Sequence, residues 1–313
     1  MQLRSLGASG LFVTPIGLGC NNFGRRTDPE TSRQVINKAL GLGINLFDTA
    51  DIYGGYGGSE RILGETLGNR RKDIMLATKF GMAMNEAGTL KGASRSYIMS
   101  AVDGSLQRLK TDWIDLYQIH QPDPLTPIDE TLRALEDLIQ QGKVRFIGSS
   151  NFPAWQVVEA QWTARTNGLH GFICCQDEYS LLVRDAEREL IPAMKAYELS
   201  LLPYFPLSSG LLTGKYRRDR MPNGARLSGT SPFAGRFLTD ANWQAVEALE
   251  QFCAQRGRTL LELAFSWLAA QPLVSSIIAG ATRPEQVEQN VKAVEWMLTP
   301  DDVAEIGRIT KKP

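Results

Sequence analysis

Four side chains of the kinds that move protons stand at the ends of short apolar runs in the first part of the chain. Asp48 follows Asn45-Leu46-Phe47 in the segment FDTADIYG, and Tyr53 lies just beyond it. Lys79 follows Ile74-Met75-Leu76-Ala77 in the segment LATKF, and His120 closes the run in YQIHQPD. An Asp or Lys inside an apolar run is costly unless paired, so Asp48 and Lys79, on neighbouring strands, are expected within salt-bridge reach. A phenol beside that ammonium has its phenolate favoured, which would let Tyr53 exchange a proton nearer neutral pH. Asp48 would keep Lys79 charged and oriented, and His120 would donate a hydrogen bond to a carbonyl oxygen. The plainer alternative is a buried ion pair that closes the scaffold, with Tyr53 a core aromatic and His120 an internally satisfied histidine.

Something must bring these run-ends to one point. Short strand-like runs alternate with amphipathic helical ones, and Gly, Pro, Asp or Asn mark the joints. The strand candidates are Pro15–Gly19, Asn45–Thr49, Ile74–Lys79, Ile114–His120, Phe146–Ser150, Ile173–Glu178, Leu201–Tyr204 and Ser276–Gly280. Helical runs follow them, for example Pro29–Leu42, Glu60–Leu67, Ser96–Leu109, Ala154–Thr166, Glu187–Glu198 and Pro284–Val294. In Ile128–Gln141, Ile128, Leu132, Leu135, Leu138 and Ile139 recur at helical spacing opposite a charged face. Parallel neighbours need crossovers, so this order predicts an α/β protein with a parallel sheet. Eight units in 313 residues fit a closed (β/α)8 TIM barrel, read as one domain over residues 1–313. Gln2–Leu6 and Leu11–Val13 flank Gly7-Ala8-Ser9-Gly10 and predict a β-hairpin that plugs the barrel floor. Extra helices are expected after strand seven, over Ala241–Gln255, and at the C-terminus. Two long loops, Gly81–Arg95 and Pro206–Asp240, leave strand C-termini, the face where barrel sites sit.

Composition narrows the function classes. Thirty-four basic residues balance 34 acidic ones with no long run of either sign, which argues against a nucleic-acid partner. The most apolar stretch, Leu260–Gly280, is interrupted by Glu262, Gln271 and Pro272, so no membrane span is expected. The N-terminal MQLRSLGASG lacks the apolar core of a signal peptide, and a cytoplasmic protein is expected. Cys20, Cys174, Cys175 and Cys253 form no CxxC pair and there are only two histidines, so no metal site is expected either.

The segments FDTADIYGGYGGSERILGETL, LATKFG, IDLYQIHQPD, FIGSSNF and IIAGATRPEQVEQN together resemble the aldo-keto reductase superfamily, over Val13 to about Thr310. The resemblance implies a (β/α)8 barrel, NADPH (or NADP+) as cofactor, a small carbonyl compound as substrate, and Asp48, Tyr53, Lys79 and His120 as a catalytic tetrad. No GxGxxG opens a helix after a strand, so a Rossmann site lacks its signature.

The same resemblance assigns the cofactor residues. Ser150, Asn151 and Gln176 would hold the nicotinamide carboxamide, and Tyr204 would stack on its ring. Phe205, Pro206, Leu207, Ser209, Gly210, Leu212 and Lys215 belong to the loop expected to cross the pyrophosphate. Gly280, Thr282 and Arg283 open a helix that would take the adenosine 2′-phosphate, with Gln286, Gln289 and Asn290 beyond. Gly19, Cys20, Asn21 and Asp48 also fall at cofactor-contacting positions. The substrate wall is expected from Asn22–Thr27, Tyr56, Gly81–Arg95, Phe152 and Ser228–Phe237. The chain departs from many members of that family in having Gly280 and Ala281 where a Lys opens the phosphate turn, and the long C-terminal substrate loop of the monomeric reductases is not expected. Two other readings remain open. One is a redox-sensing or regulatory subunit on the same fold; the other is a barrel glycosidase using Asp48 with Asp51 or Glu178.

Overall fold

The computed structural model describes residues 1–222, 224–228 and 231–311. Two short antiparallel strands, β1 (Arg4–Ser5) and β2 (Phe12–Val13), come first. Eight parallel strands follow: β3 (Ile16–Gly19), β4 (Leu46–Asp48), β5 (Met75–Phe80), β6 (Ile114–Ile119), β7 (Val144–Ser150), β8 (Cys174–Gln176), β9 (Ser200–Leu201) and β10 (Ile277–Gly280). They pair in the order β10-β3-β4-β5-β6-β7-β8-β9. The two ends of that order also meet. Leu201 N–H donates to Leu273 O at 2.7 Å, Ser275 N–H to Leu201 O at 3.2 Å, and Ile278 N–H to Pro203 O at 3.0 Å. This curled sheet of eight parallel strands is consistent with a (β/α)8 barrel.

Local sequence accounts for most of the outer helices. Pro29 opens the helix Pro29–Gly41, and the Asp28 carboxylate caps it by accepting from Thr31 N–H. Thr259 and Glu262 form a reciprocal cap at the start of Leu260–Ala269. Ile128–Gln140 buries Leu132, Leu135 and Leu138, the apolar stripe read from the sequence. Several expected elements are shorter than their patterns, among them the strand expected over Ile173–Glu178, which spans Cys174–Gln176, and two that contain proline. The helix expected over Glu187–Glu198 spans Leu190–Ala196, because Pro192 lacks an N–H and sits only in a first turn. The strand expected over Leu201–Tyr204 contains Pro203, and beyond Leu201 it continues only as a bridge between Tyr204 and Glu178.

The hairpin lies at the floor. Leu6 and Val13, both fully buried, pack with Leu46, Ala77, Leu116, Cys174 and Ile278 from five strands and with Leu202, just past β9. Gly7 N–H donates to Ser200 Oγ, and Ser275 Oγ to Ser5 O, which ties the hairpin to that end of the sheet. Helices Asp240–Ala254 and Pro300–Thr310 are additions outside the alternating pattern.

Between sheet and helices the core is close-packed. The helix Gly58–Leu67 approaches Arg95–Leu109 so nearly that a Cβ on Gly64 would lie 2.5 Å from Arg108 O and 2.6 Å from the Leu109 carbonyl carbon. Backbone cannot swing aside as a side chain does. Gly64→Ala should therefore destabilise the fold by roughly 1–3 kcal/mol despite its better helix propensity, read as a fall in the urea unfolding midpoint. An unchanged midpoint would show that the two helices separate freely.

Candidate active site

Strand register sets the site. Gly280 pairs with Gly19, Gly19 with Asp48, Asp48 with Ala77, and Lys79 with Gln118, so the C-terminal ends of β10, β3, β4, β5 and β6 form one rim. Side chains two apart on a strand share a face, which places Lys79 on the same side as Ala77 and above it. His120 is the first residue past β6 and is anchored there by its N–H to Phe80 O at 2.8 Å. Tyr53 begins a tight turn in which Gly54 and Gly55 both take left-handed conformations. A Cβ on Gly54 would lie 2.5 Å from Phe23 O, so this turn accepts no side chain there.

The four proton-moving groups come together. Lys79 Nζ donates to Asp48 Oδ2 at 2.7 Å and to Thr49 O at 2.9 Å. Lys79 is wholly buried and Asp48 nearly so. The other Asp48 oxygen accepts from Gln176 Nε2 at 2.8 Å and Gln118 Nε2 at 3.2 Å. The Lys79 ammonium stands 5.1 Å from the centre of the Tyr53 ring, and the Tyr53 hydroxyl is 3.5 Å from His120 Nε2.

Burial opposes the charge on Lys79, but Asp48 and then Tyr53 outweigh it and raise the ammonium above its ordinary range. The expected lowering of the Tyr53 phenol is not what the structure shows. Burial is the largest influence and raises it, while Lys79 only pulls in the opposite direction. Tyr53 is thus held as the neutral phenol. Burial, with a smaller push from Lys79, lowers the His120 imidazole to about 3, so at neutral pH it is uncharged. A neutral phenol and a neutral imidazole converge on one spot beside a buried ammonium. That arrangement can bind a carbonyl oxygen, deliver a proton to it, and stabilise the phenolate left behind.

The residues expected to hold a cofactor ring this centre. Ser150 Oγ donates to Gln176 O, and Asn151 Nδ2 donates to His120 O and to Ser150 Oγ. The Tyr204 hydroxyl donates to Asn151 Oδ1 at 2.7 Å, and its ring meets Phe205 edge-on. Asn151, Phe205, Ser208 and Ser209 all have positive φ, which turns the chain sharply after β7 and β9. Ser209 Oγ is buried with no hydrogen-bond partner among the described residues. Pro206, Leu207, Gly210 and Lys215 continue that loop, but the Leu212 side chain is fully buried in the core. Cys20 is also fully buried, its N–H donating to Asp48 O, and its thiol lies close enough to Asp48 and Lys79 to feel both charges. Gly280 is exposed, and a Cβ there would press on Asn22 Nδ2 at 3.2 Å and Asn21 Oδ1 at 3.4 Å. Thr282 N–H and its hydroxyl both donate to Gln286 Oε1. Arg283 stands at the residue before the helix Pro284–Lys292, on which Gln289 is exposed and Asn290 buried.

Three basic residues escaped the sequence reading. Burial, then Arg26 and Arg283, lower Lys215, and burial, then Arg26 and to a lesser degree Arg25, lower Arg226. Arg25, Arg26, Lys215, Arg226 and Arg283 therefore crowd one side of the rim, and none forms a salt bridge among the described residues. The Arg226 guanidinium also lies 4.8 Å over Phe205 and 4.9 Å over Phe233. Part of Asn22–Thr27, expected to be substrate wall, thus belongs to this basic side. The adjacent pair Arg25-Arg26 just after a strand end was the available signal. Of the remaining expected wall, Gly229 and Thr230 lie outside the described residues. Phe152 lines a cavity of about 270 Å³ with Ala93, Ile119, Asp123 and Gln156.

The glycosidase arrangement is not present. Asp48 is bonded to Lys79, Glu178 to Arg236 at 2.6 Å, and Asp51 is withdrawn from solvent.

A family model described as the Aldo/keto reductase family matches residues 15–311. A probable voltage-gated potassium channel subunit beta of Oryza sativa subsp. japonica is 36% identical over 99% of this chain and 97% of its own. The aldo-keto reductase YhdN of Bacillus subtilis (strain 168) is 34% identical over 99% of this chain and 93% of its own. An L-glyceraldehyde 3-phosphate reductase of Escherichia coli (strain K12) is 33% identical over 94% and 88% respectively.

Just past β4, the buried Asp51 carries two carboxylate oxygens with no hydrogen-bond partner among the described residues. Burial, then the nearby Glu60, push its carboxyl up to about 8 from the ordinary 3.8. The folded chain therefore keeps a proton that the unfolded chain releases, and stability declines as pH rises from about 4 to about 8. Asp51→Asn removes that loss. It should gain stability relative to the parent progressively across this window and show a constant difference above it, measured as denaturation midpoints against pH. Parallel curves for the two chains would show that Asp51 is ionised in the folded state.

Proposed function

The chain belongs to the aldo/keto reductase family, and we propose that it is a reversible NADPH-dependent reductase of aldehydes or ketones. The observation that carries this reading is the approach of the Tyr53 hydroxyl and His120 Nε2 to 3.5 Å, with the Lys79–Asp48 ion pair behind them. The scaffold is read with it as a closed (β/α)8 barrel of one domain, supported by the backbone bonds that join β9 to the approach of β10.

The residues present suit a dinucleotide phosphate. Five basic side chains and a buried Ser209 hydroxyl without partners among the described residues, with a cradle at Gly280 that a Cβ would fill, suit a pyrophosphate and a further phosphate. Lys215, Arg226 and Arg283 would hold phosphate, while Ser150, Asn151 and Gln176 would hold the carboxamide and Tyr204 the ring face. When bound, the reduced nicotinamide supplies hydride to the carbonyl carbon. In this reading His120, neutral, orients the carbonyl oxygen with its Nε2 hydrogen. Tyr53 transfers its hydroxyl proton to that oxygen as negative charge develops there. The phenolate so formed faces the Lys79 ammonium, and Asp48 keeps the ammonium in place. In the oxidation direction the same phenolate removes the alcohol proton.

A second reading, a regulatory subunit that senses the cofactor's redox state, is favoured by the similarity to channel subunits named above. Co-purification with a membrane protein of the channel class would support it.

Tyr53→Phe keeps the packing and removes the proton. It should lower kcat for carbonyl reduction by roughly 10²–10⁴-fold and leave NADPH affinity nearly unchanged by tryptophan-fluorescence titration. Turnover at the parent rate would refute the assignment. Arg226→Ala should raise the Kd for NADPH more than that for NADH, because a charge-assisted phosphate contact is lost. An equal rise for both would place Arg226 away from the distinguishing phosphate.

A further inference from the structure

Asp48 is held from two sides, and the ammonium is only one of them. Lys79 bonds Oδ2, while Oδ1 accepts from Gln118 Nε2 at 3.2 Å and from Gln176 Nε2 at 2.8 Å. Gln118 lies within β6, paired with Lys79 in the strand register, and is fully buried. Gln176 ends β8, paired with Ser150 of β7, and is nearly as buried. A third contact closes the triangle, with Gln176 Nε2 donating to Gln118 Oε1 at 3.4 Å.

An ionised carboxylate only accepts hydrogen bonds, so both amides must turn their NH2 groups toward Asp48. Either amide reversed would set its oxygen against the carboxylate oxygen. Gln176 then gives one N–H to Asp48 and the other to Gln118, which leaves its own Oε1 turned away from both. The neighbouring polar groups are committed differently. Asn151 uses its amide N–H groups on His120 O and Ser150 Oγ, and its Oδ1 accepts from Tyr204. Ser150 gives its hydroxyl hydrogen to Gln176 O. Gln176 Oε1 is thus an acceptor kept ready at a strand end, and the Asp48 charge at the buried end of the triangle fixes its direction.

We propose that Gln118 is a positioning residue, which holds the Gln176 amide in one orientation so that Oε1 accepts from the carboxamide NH2 of a bound nicotinamide. The proposal rests on the reductase reading above. Gln118 touches neither cofactor nor substrate in it and acts through Gln176. Without Gln118, one N–H of Gln176 has no acceptor and Asp48 Oδ1 keeps a single donor. The Gln176 amide is then held by one bond, about which it can turn.

Calorimetric titration of the full chain with NADP+ and with its 3-acetylpyridine analogue tests this, because the analogue carries a methyl group in place of the carboxamide NH2. The parent should bind NADP+ about tenfold more tightly, as one buried hydrogen bond allows. Gln118→Met keeps the length of the side chain. It should reduce the ratio to about twofold and leave the Kd for the analogue nearly unchanged. In Gln118→Glu the new carboxyl, kept protonated at pH 6 by burial and the Asp48 charge, has one donor and one acceptor and should restore the parent's ratio. Circular dichroism checks that both variants fold. A parent that binds NADP+ and the analogue equally would overturn the proposal. So would a Gln118→Met chain that keeps the tenfold ratio or weakens both ligands alike, or a Gln118→Glu chain that discriminates no better than Gln118→Met. A parent that binds neither dinucleotide would overturn the reductase reading itself, and this inference with it.

Discussion

The ion pair between Asp48 and Lys79 is the constraint on which the site depends. Both groups are withdrawn from water, a loss of hydration worth several kcal/mol per ion that only close geometry and further hydrogen bonds offset. The structure provides both. Lys79 has Asp48 and the Thr49 carbonyl, and Asp48 has two glutamine amides on its other oxygen. Removing either charge would leave the other buried and unpaired, so the pair locks strands β4, β5, β6 and β8 to one another at their C-terminal ends. The position of the ammonium behind the Tyr53 ring follows from that lock, not from any contact Tyr53 makes on its own.

Protonation around the pair is set more by burial than by neighbouring charge. Tyr53 stays a phenol although Lys79 is close, and His120 stays neutral with a low pKa. Two neutral polar groups facing one point suit the capture of an uncharged carbonyl oxygen, because no ion has to be desolvated before it binds. Charge is kept instead on the basic side of the rim, where Arg25, Arg26, Lys215, Arg226 and Arg283 crowd together with no salt bridge among the described residues. A site with that division suits a ligand that is polyanionic at one end and neutral at the other.

Several parts of this were legible in the chain as written. The alternation of runs led to eight parallel strands, and the Gly-Ala-Ser-Gly turn to a hairpin whose Leu6 and Val13 fill the floor. Local rules failed where proline intervened, at Pro192 and Pro203, because a missing N–H shortens an element whose apolar pattern continues. They failed also at Tyr53, where the neighbouring cation was visible from strand order but the depth of burial was not. Arg226 was unreadable for a different reason. Its role comes from packing over Phe205 and Phe233 in a long loop with no periodicity.

By itself, then, the order of residues determined which groups end which strands. Period-two alternation and the demand that an Asp or Lys in an apolar run be paired are local and near-neighbour effects. Tertiary structure alone decided their protonation, the meeting of five basic side chains from three separate segments, and the exposure of Trp155 and Trp162 on a helix whose pattern shows no clean polar face. Those depend on how far each atom lies from water and from charges distant along the chain, and both quantities are properties of the closed three-dimensional packing.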